Sequence, residues 1–182
     1  MELTGLSIDQ APPISSPLRF FVTAPIFGII AGILILLSDS QTLMSRYSID
    51  AILVTHSITI GMFAFIMLGS LTQMLPVLAS AKIAQVKRVS LISYLLLVVG
   101  LLSMIFGLKL QLGFLLSISY SSLGIGFLLM VFSIINAIKN VKHFTATLKG
   151  MSASLVFAFF IVLMGVYLLY EYATNSLSFI YL

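Results

Sequence analysis

The chain has 182 residues, of which 60% are hydrophobic and only 8% are charged, and its mean hydropathy is +1.21. This composition excludes a soluble globular domain, and the sequence lacks the alternation of a transmembrane barrel, so a polytopic helical membrane protein remains. Cysteine is absent, which excludes disulfides, thiolate-ligated heme and iron–sulfur sites. The net charge of +4 comes from short loops between apolar runs, so the lipid bilayer with its anionic surface, and not nucleic acid, is the expected partner.

Five apolar runs predict an all-α bundle of five transmembrane helices. Residues 1–17 are predicted as a polar surface tail, 18–171 as a single transmembrane domain and 172–182 as a short C-terminal tail. In the first helix, Gly28 and Gly32 offer a small-residue surface for close helix contact, with lipid-facing positions as the alternative. The predicted helices are 18–37, 49–79, 89–108, 114–138 and 151–170.

The second predicted helix, 49–79, contains the only histidine in any apolar run, His56. An ionisable ring in hydrocarbon is costly without a partner, so His56 marks a functional-site hypothesis. One interpretation is structural: a ring N–H bonds a backbone carbonyl or a neighbouring hydroxyl and fixes helix packing. The other is metal ligation, because neutral imidazole is the commonest metal ligand in proteins.

Four residues share a face with His56 if the helix is ideal. They are Phe63, Met67, Ser70 and Met74. This largely apolar wall suits a flat apolar cofactor such as heme, although an ordinary core stripe has the same spacing.

His56, Gly69 and Pro76, the last in the run QMLPVLA, resemble the second transmembrane helix of the catalytic subunits of heme-copper oxidases and nitric oxide reductases. The pattern is also similar to NnrS-type heme membrane proteins. The resemblance implies that His56 is an axial ligand of heme b in electron transfer or in O2 or NO binding. Those catalytic subunits are far longer and carry further histidines, so their binuclear centre is not implied, and whether the chain is an enzyme stays open.

Lysine and arginine are unevenly distributed between the two ends of five spans. Seven lie on the N-terminal side and two on the other side. The seven are Arg19, Lys82, Lys87, Arg88, Lys139, Lys142 and Lys149, and the two are Arg46 and Lys109. This bias predicts a cytoplasmic N-terminus and an outer C-terminus in a bacterial-type inner membrane. His56 then lies about 10 Å below the outer boundary, because a helix rises ~1.5 Å per residue.

Residues of three other helices are predicted at the depth of His56: Met104, Tyr120, Met164 and Tyr167. Met104 or Met164 is a candidate thioether ligand, and Tyr120 is a candidate hydrogen-bond donor to a propionate or an imidazole. Core filling is the alternative for each. The other histidine, His143, falls in a basic loop at the opposite face and cannot reach the same iron within one protomer.

One membrane histidine per chain has a consequence for assembly. A bis-His heme needs a second imidazole from another protomer or another respiratory subunit, so a homo-oligomer is predicted. A dimer pairs two His56 rings, and a trimer is implied by the resemblance, since the helices of the family's catalytic subunit form three arcs around a pseudo-threefold axis. Two other classes remain: a cofactor-free packing subunit of a larger respiratory complex, and a copper(I) site built from His56 and methionine.

The charge bias generates a prediction about orientation. A reporter fused after Leu182 should lie outside the cytoplasm, because seven of the nine basic residues fall on the N-terminal side of five spans. Paired fusions to alkaline phosphatase, active outside, and to a fluorescent protein, active inside, measure this. Fluorescence without phosphatase activity would contradict the assignment.

Overall fold

The computed structural model describes residues 11–139, 141 and 145–174, and nearly all of these are helical. Five long helices, each apolar enough to cross a membrane, confirm the predicted all-α bundle and make the protein a multi-pass membrane protein. A short helix precedes the second long one. The helices are α1 Ser15–Leu37, α2 Ser40–Met44, α3 Ile49–Ala79, α4 Val86–Leu110, α5 Gly113–Lys139 and α6 Ala146–Ala173.

The helix bounds differ from the predicted ones mainly at the ends. Helix α3 has the predicted bounds, whereas α1 begins at Ser15, inside the predicted tail, where Ser16 and Pro17 are buried. Helix α6 begins at Ala146, before the predicted start at residue 151. The predictions for residues 1–10, for residues 175–182 and for His143 lie outside the described residues.

Helix ends are closed by hydrogen bonds and by left-handed residues, because backbone polar groups have no water partners in hydrocarbon. The Ser48 hydroxyl accepts a bond from the Ala51 N–H at the start of α3, and Thr145 accepts one from Leu148 at the start of α6. Ser80 ends α3 with φ 52°, and Gln111 ends α4 with φ 55°. These conformations permit the short connections between antiparallel helices.

Helix α1 packs along α3 through two glycines of α3. A Cβ at Gly69 would lie 2.9 Å from the Phe21 ring, and a Cβ at Gly61 would overlap the Phe27 ring. Gly28 of α1 has only ordinary contact with the Met62 sulfur, and Gly32 faces open space. The close approach predicted for Gly28 and Gly32 is therefore made instead by glycines of the partner helix.

Helix α4 crosses from α1 to α3 along its length. Near the start of α4, Tyr94 bonds Thr23 of α1 (hydroxyl oxygens 2.9 Å apart), and its ring lies edge-on to Phe20 at 5.7 Å. At the end of α4, the Lys109 ammonium donates to Asp50 of α3 at 2.7 Å. The three helices therefore form one packed unit.

The remaining helices add to one side of this unit. Helix α5 packs antiparallel on α4, where a Cβ at Gly100 would meet the backbone nitrogen of Leu123 at 2.9 Å. Helix α6 packs on α5 through Tyr120 and Tyr170, whose ring centroids are 5.6 Å apart. Only Leu148 and Leu155 of α6 are buried, so α6 presents most of its surface outward.

The antiparallel order creates two ends. The first end contains the starts of α1, α4 and α6 and the ends of α3 and α5, and the sequence predicts that it is cytoplasmic. The second end contains His56, the Asp50–Lys109 pair and the start of α3.

The glycine contacts predict unequal effects of the same substitution. Gly61→Ala should destabilise the protein, since overpacking costs about 1–3 kcal/mol and the gain in helix propensity offsets only about 1 kcal/mol. Gly32→Ala, with open space around its Cβ, is the matched control and should leave the melting temperature unchanged or raised. Thermal unfolding in detergent, followed by circular dichroism, measures both; equal shifts would contradict the packing account.

Candidate functional site

His56 is the last residue before a π-helical segment, Ser57–Ala64, within α3. A π-helical turn bonds residue i to i+5 and holds more residues than an α-helical turn, and such turns are frequent at functional sites. The ideal-helix face predicted for His56 therefore does not continue unchanged through this segment. The sequence gives no sign of the change, which coincides with the contact between Gly61 and Phe27.

The exposed line of α3 runs beside His56 and not through it. The exposed side chains recur every four residues at Thr55, Thr59, Phe63 and Met67. Phe63 is 52% exposed and Met67 is 58% exposed, whereas His56 is half-buried at the margin of this line. Of the apolar wall expected from the sequence, Phe63 and Met67 lie on this exposed line, whereas its part nearest His56 carries Thr55 and Thr59, which the sequence interpretation missed.

The His56 ring is oriented by its own helix. Its Nδ1 lies 2.8 Å from the carbonyl oxygen of Ile52. A carbonyl only accepts, so Nδ1 is the donor, and in the neutral ring Nε2 then carries the lone pair. This bond is the one that the structural interpretation expects, but it employs only one ring nitrogen. Nε2 has no hydrogen bond within the described part of the chain.

An arrangement of this kind is typical of ligating histidines. A backbone carbonyl on one ring nitrogen fixes the tautomer and the ring plane and leaves the other nitrogen free to bind a metal. The neighbouring Ser57 is fully buried, and its hydroxyl has no partner among the described residues. Thr59 instead donates to the Thr55 carbonyl at 2.8 Å, so its hydroxyl is already satisfied.

Met104 lies on α4 at about the level of His56, as the contacts of Gly61 with Leu101 and of Asp50 with Lys109 indicate. Its side chain is 3% exposed. By helical spacing it falls between Gly100 and Gly107, both of which pack against α5. Met104 therefore fills the interface between α4 and α5.

Tyr120, Met164 and Tyr167 belong to α5 and α6. The Tyr120 ring packs edge-on against Tyr170 of α6. Met164 is 60% exposed and Tyr167 is 56% exposed on the outward surface of α6. Because α3 packs on α4, α4 on α5 and α5 on α6, one helix lies between α3 and the helix of Tyr120, and two helices lie between α3 and the helix of Met164 and Tyr167.

The predicted site residues thus separate into two groups. His56 and Phe63 lie together on α3, whereas Met104, Tyr120 and Met164 are not brought to His56 within one chain. Among the described residues there is no group of three His, Asp or Glu side chains suited to a metal ion. His56 fits an axial heme ligand, since its free nitrogen adjoins an apolar surface, but no second ligand lies beside it among the residues that the structure describes.

No protein-family model, curated protein or solved structure matches this chain. A function must therefore be argued from the residues and their arrangement.

Proposed function

We propose that the protein is a heme b-binding membrane protein of a bacterial-type inner membrane, with His56 as an axial ligand. The heme would serve in electron transfer or in binding O2 or NO, as in the family that α3 resembles. Held by His56, such a heme would supply one-electron chemistry, and it would supply diatomic gas binding only where one axial position is not occupied by a second imidazole.

One observation carries this proposal: the bond from Nδ1 of His56 to the Ile52 carbonyl. It holds the ring in a single tautomer and leaves Nε2 available at the margin of the exposed face of α3. Phe63 and Met67 extend that face with apolar surface, which favours contact with a porphyrin and excludes water from it.

The site is shared between protomers in this proposal. Met104 is enclosed between α4 and α5, and Met164 lies beyond both helices, so neither is placed to supply a second ligand to the same iron. The exposed face of α3 would instead meet the same face of another copy, and two His56 rings would ligate one heme. A two-fold contact of identical faces is the simplest geometry for such a pair, and a trimer remains the alternative implied by the resemblance.

A second candidate function is a cofactor-free packing subunit of a larger respiratory complex. It is favoured by α6, which has only two buried residues in its described length and offers a long apolar surface to another membrane protein. An absorption spectrum of the purified protein distinguishes the two candidate functions. A Soret band supports the heme protein, whereas its absence in protein purified from heme-replete cells supports the packing subunit.

Replacement of the proposed ligand should remove the cofactor. His56→Ala should lose heme from the detergent-purified protein, because the proposed axial ligand is deleted, while the expression yield stays close to wild type. His143→Ala is the matched control and should retain heme. Pyridine hemochromogen assays on both variants give the heme content; full occupancy in His56→Ala would refute the assignment.

Sharing predicts a heme content below one per chain. Dissociation of the oligomer by a harsher detergent should release the heme or convert its spectrum from low-spin to high-spin, because one of two imidazoles is lost. Analytical ultracentrifugation with simultaneous absorbance detection at the Soret band follows mass and heme together.

A mixed oligomer tests the same point without detergent stress. Wild-type chain co-expressed with differently tagged His56→Ala chain, and purified through both tags, should contain no low-spin heme if two His56 rings form the site. A monomer with one low-spin heme per chain, lost on Met104→Leu or Met164→Leu, would establish His/Met ligation within one chain instead.

A further inference from the structure

The first end of the bundle has an open cavity between the start of α1 and the start of α4. Its volume is about 380 Å³. The lining residues are Pro13, Ile83, Gln85, Val86, Lys87 and Arg88. It lies at the opposite end of the bundle from His56, so the proposed heme site does not account for it.

The lining of this cavity is cationic. Lys87 and Arg88 are both exposed, and neither has an ion pair among the described residues. They stand in the first turn of α4, where the helix dipole adds partial positive charge. No acidic side chain lines the cavity, so its field favours an anion.

Helix α1 brings a third cation to the same end. The Nε of Arg19 donates to the Ser15 carbonyl at 2.8 Å, one turn nearer the start of α1. Its Nη1 is buried and has no acceptor within the described residues. A buried guanidinium nitrogen without an acceptor is costly. Arg19 does not line the cavity, but its charge adds to the positive field of this end of the bundle.

The cationic turn of α4 continues into an apolar stripe on the same helix face. Leu91, Ile92 and Leu95 follow Lys87 and Arg88 at helical spacings of three, four and seven or eight residues. All three are exposed. The surface therefore presents two charges at the membrane boundary and hydrocarbon below them, which is the arrangement of polar and apolar groups in a phospholipid.

We infer that this cavity binds the phosphate of an anionic phospholipid, with Lys87 and Arg88 at the headgroup and the stripe of Leu91, Ile92 and Leu95 against an acyl chain. The shared chemistry is a phosphate monoanion, which a free phosphate ion also offers. The apolar stripe distinguishes the two sources, because only a lipid gains from contact with it. Basic pockets between helices at the cytoplasmic face bind lipid headgroups in this way.

The test is native mass spectrometry of the full detergent-purified chain with phosphatidylglycerol or with phosphatidylcholine of the same acyl length. The wild type should retain phosphatidylglycerol preferentially. The double variant Lys87→Gln/Arg88→Gln should bind it about 30-fold more weakly, given the usual contribution of two juxtamembrane cations.

A matched control removes the same charge from the same end. Lys139→Gln/Lys149→Gln alters two exposed lysines that do not line the cavity and should keep wild-type affinity. Equal weakening in both double variants would overturn the site in favour of diffuse surface charge, and no weakening in either would show that Lys87 and Arg88 do not hold the lipid. Displacement of the lipid by millimolar inorganic phosphate would overturn the assignment to a lipid.

A charge-conserving variant guards against misfolding. Lys87→Arg/Arg88→Lys exchanges the two cations and should retain binding. If Lys87→Gln/Arg88→Gln loses helical circular dichroism, the exchange variant tests the site instead. Retained selectivity of the exchange variant for phosphatidylglycerol over phosphatidylcholine supports the site. Loss of that selectivity contradicts a site that depends on charge.

Discussion

The close approach of helix backbones at glycines is the constraint on which the structure depends. In lipid, apolar side chains gain little from leaving their surroundings, so helices associate through dense packing and a few hydrogen bonds. Gly61 and Gly69 admit the rings of α1 to α3, and Gly100 admits the backbone of α5 to α4. At each of these positions a larger side chain would hold the two helices farther apart. Close contacts at these glycines therefore hold α1 against α3 and α4 against α5.

An aromatic cluster and two polar links fix how the helices cross. Phe20, Phe65 and Tyr94 pack with ring centroids 5.7–6.1 Å apart, and Tyr94 bonds Thr23. Edge-to-face aromatic pairs of this kind contribute about 0.5–1.5 kcal/mol each beyond the area that they bury. At the other end Lys109 pairs with Asp50, where both side chains reach the membrane boundary. The long helix α4 is thus tied to α1 at one end and to α3 at the other.

Because of this packing, both proposed binding sites lie on outer surfaces of the bundle and not in its interior. The Gly61 contact coincides with the π-helical segment, which directly follows His56. The candidate thioether ligand Met104 is used to fill the α4–α5 interface instead. Both proposals therefore concern surfaces that another molecule must complete: a second protomer at the α3 face and a phospholipid at the opposite end. The two are independent, since they involve different helices, different ends and ligands of different charge.

The sequence by itself determined the fold class, the five spans and the bounds of α3, because each apolar run is long enough to cross a bilayer and hydrocarbon permits only helices there. It also singled out His56, since one ionisable ring in an apolar run is conspicuous. It placed Met104, Tyr120 and Met164 by depth alone, and depth follows from counting residues along a helix. The packing order α3, α4, α5, α6 determines which helices are neighbours. Together with the π-helical segment, it also determines which neighbouring helix each side chain faces. Those features arise from contacts between distant residues such as Gly61 and Phe27, so only the tertiary structure decided that His56 stands apart from Met104, Tyr120 and Met164.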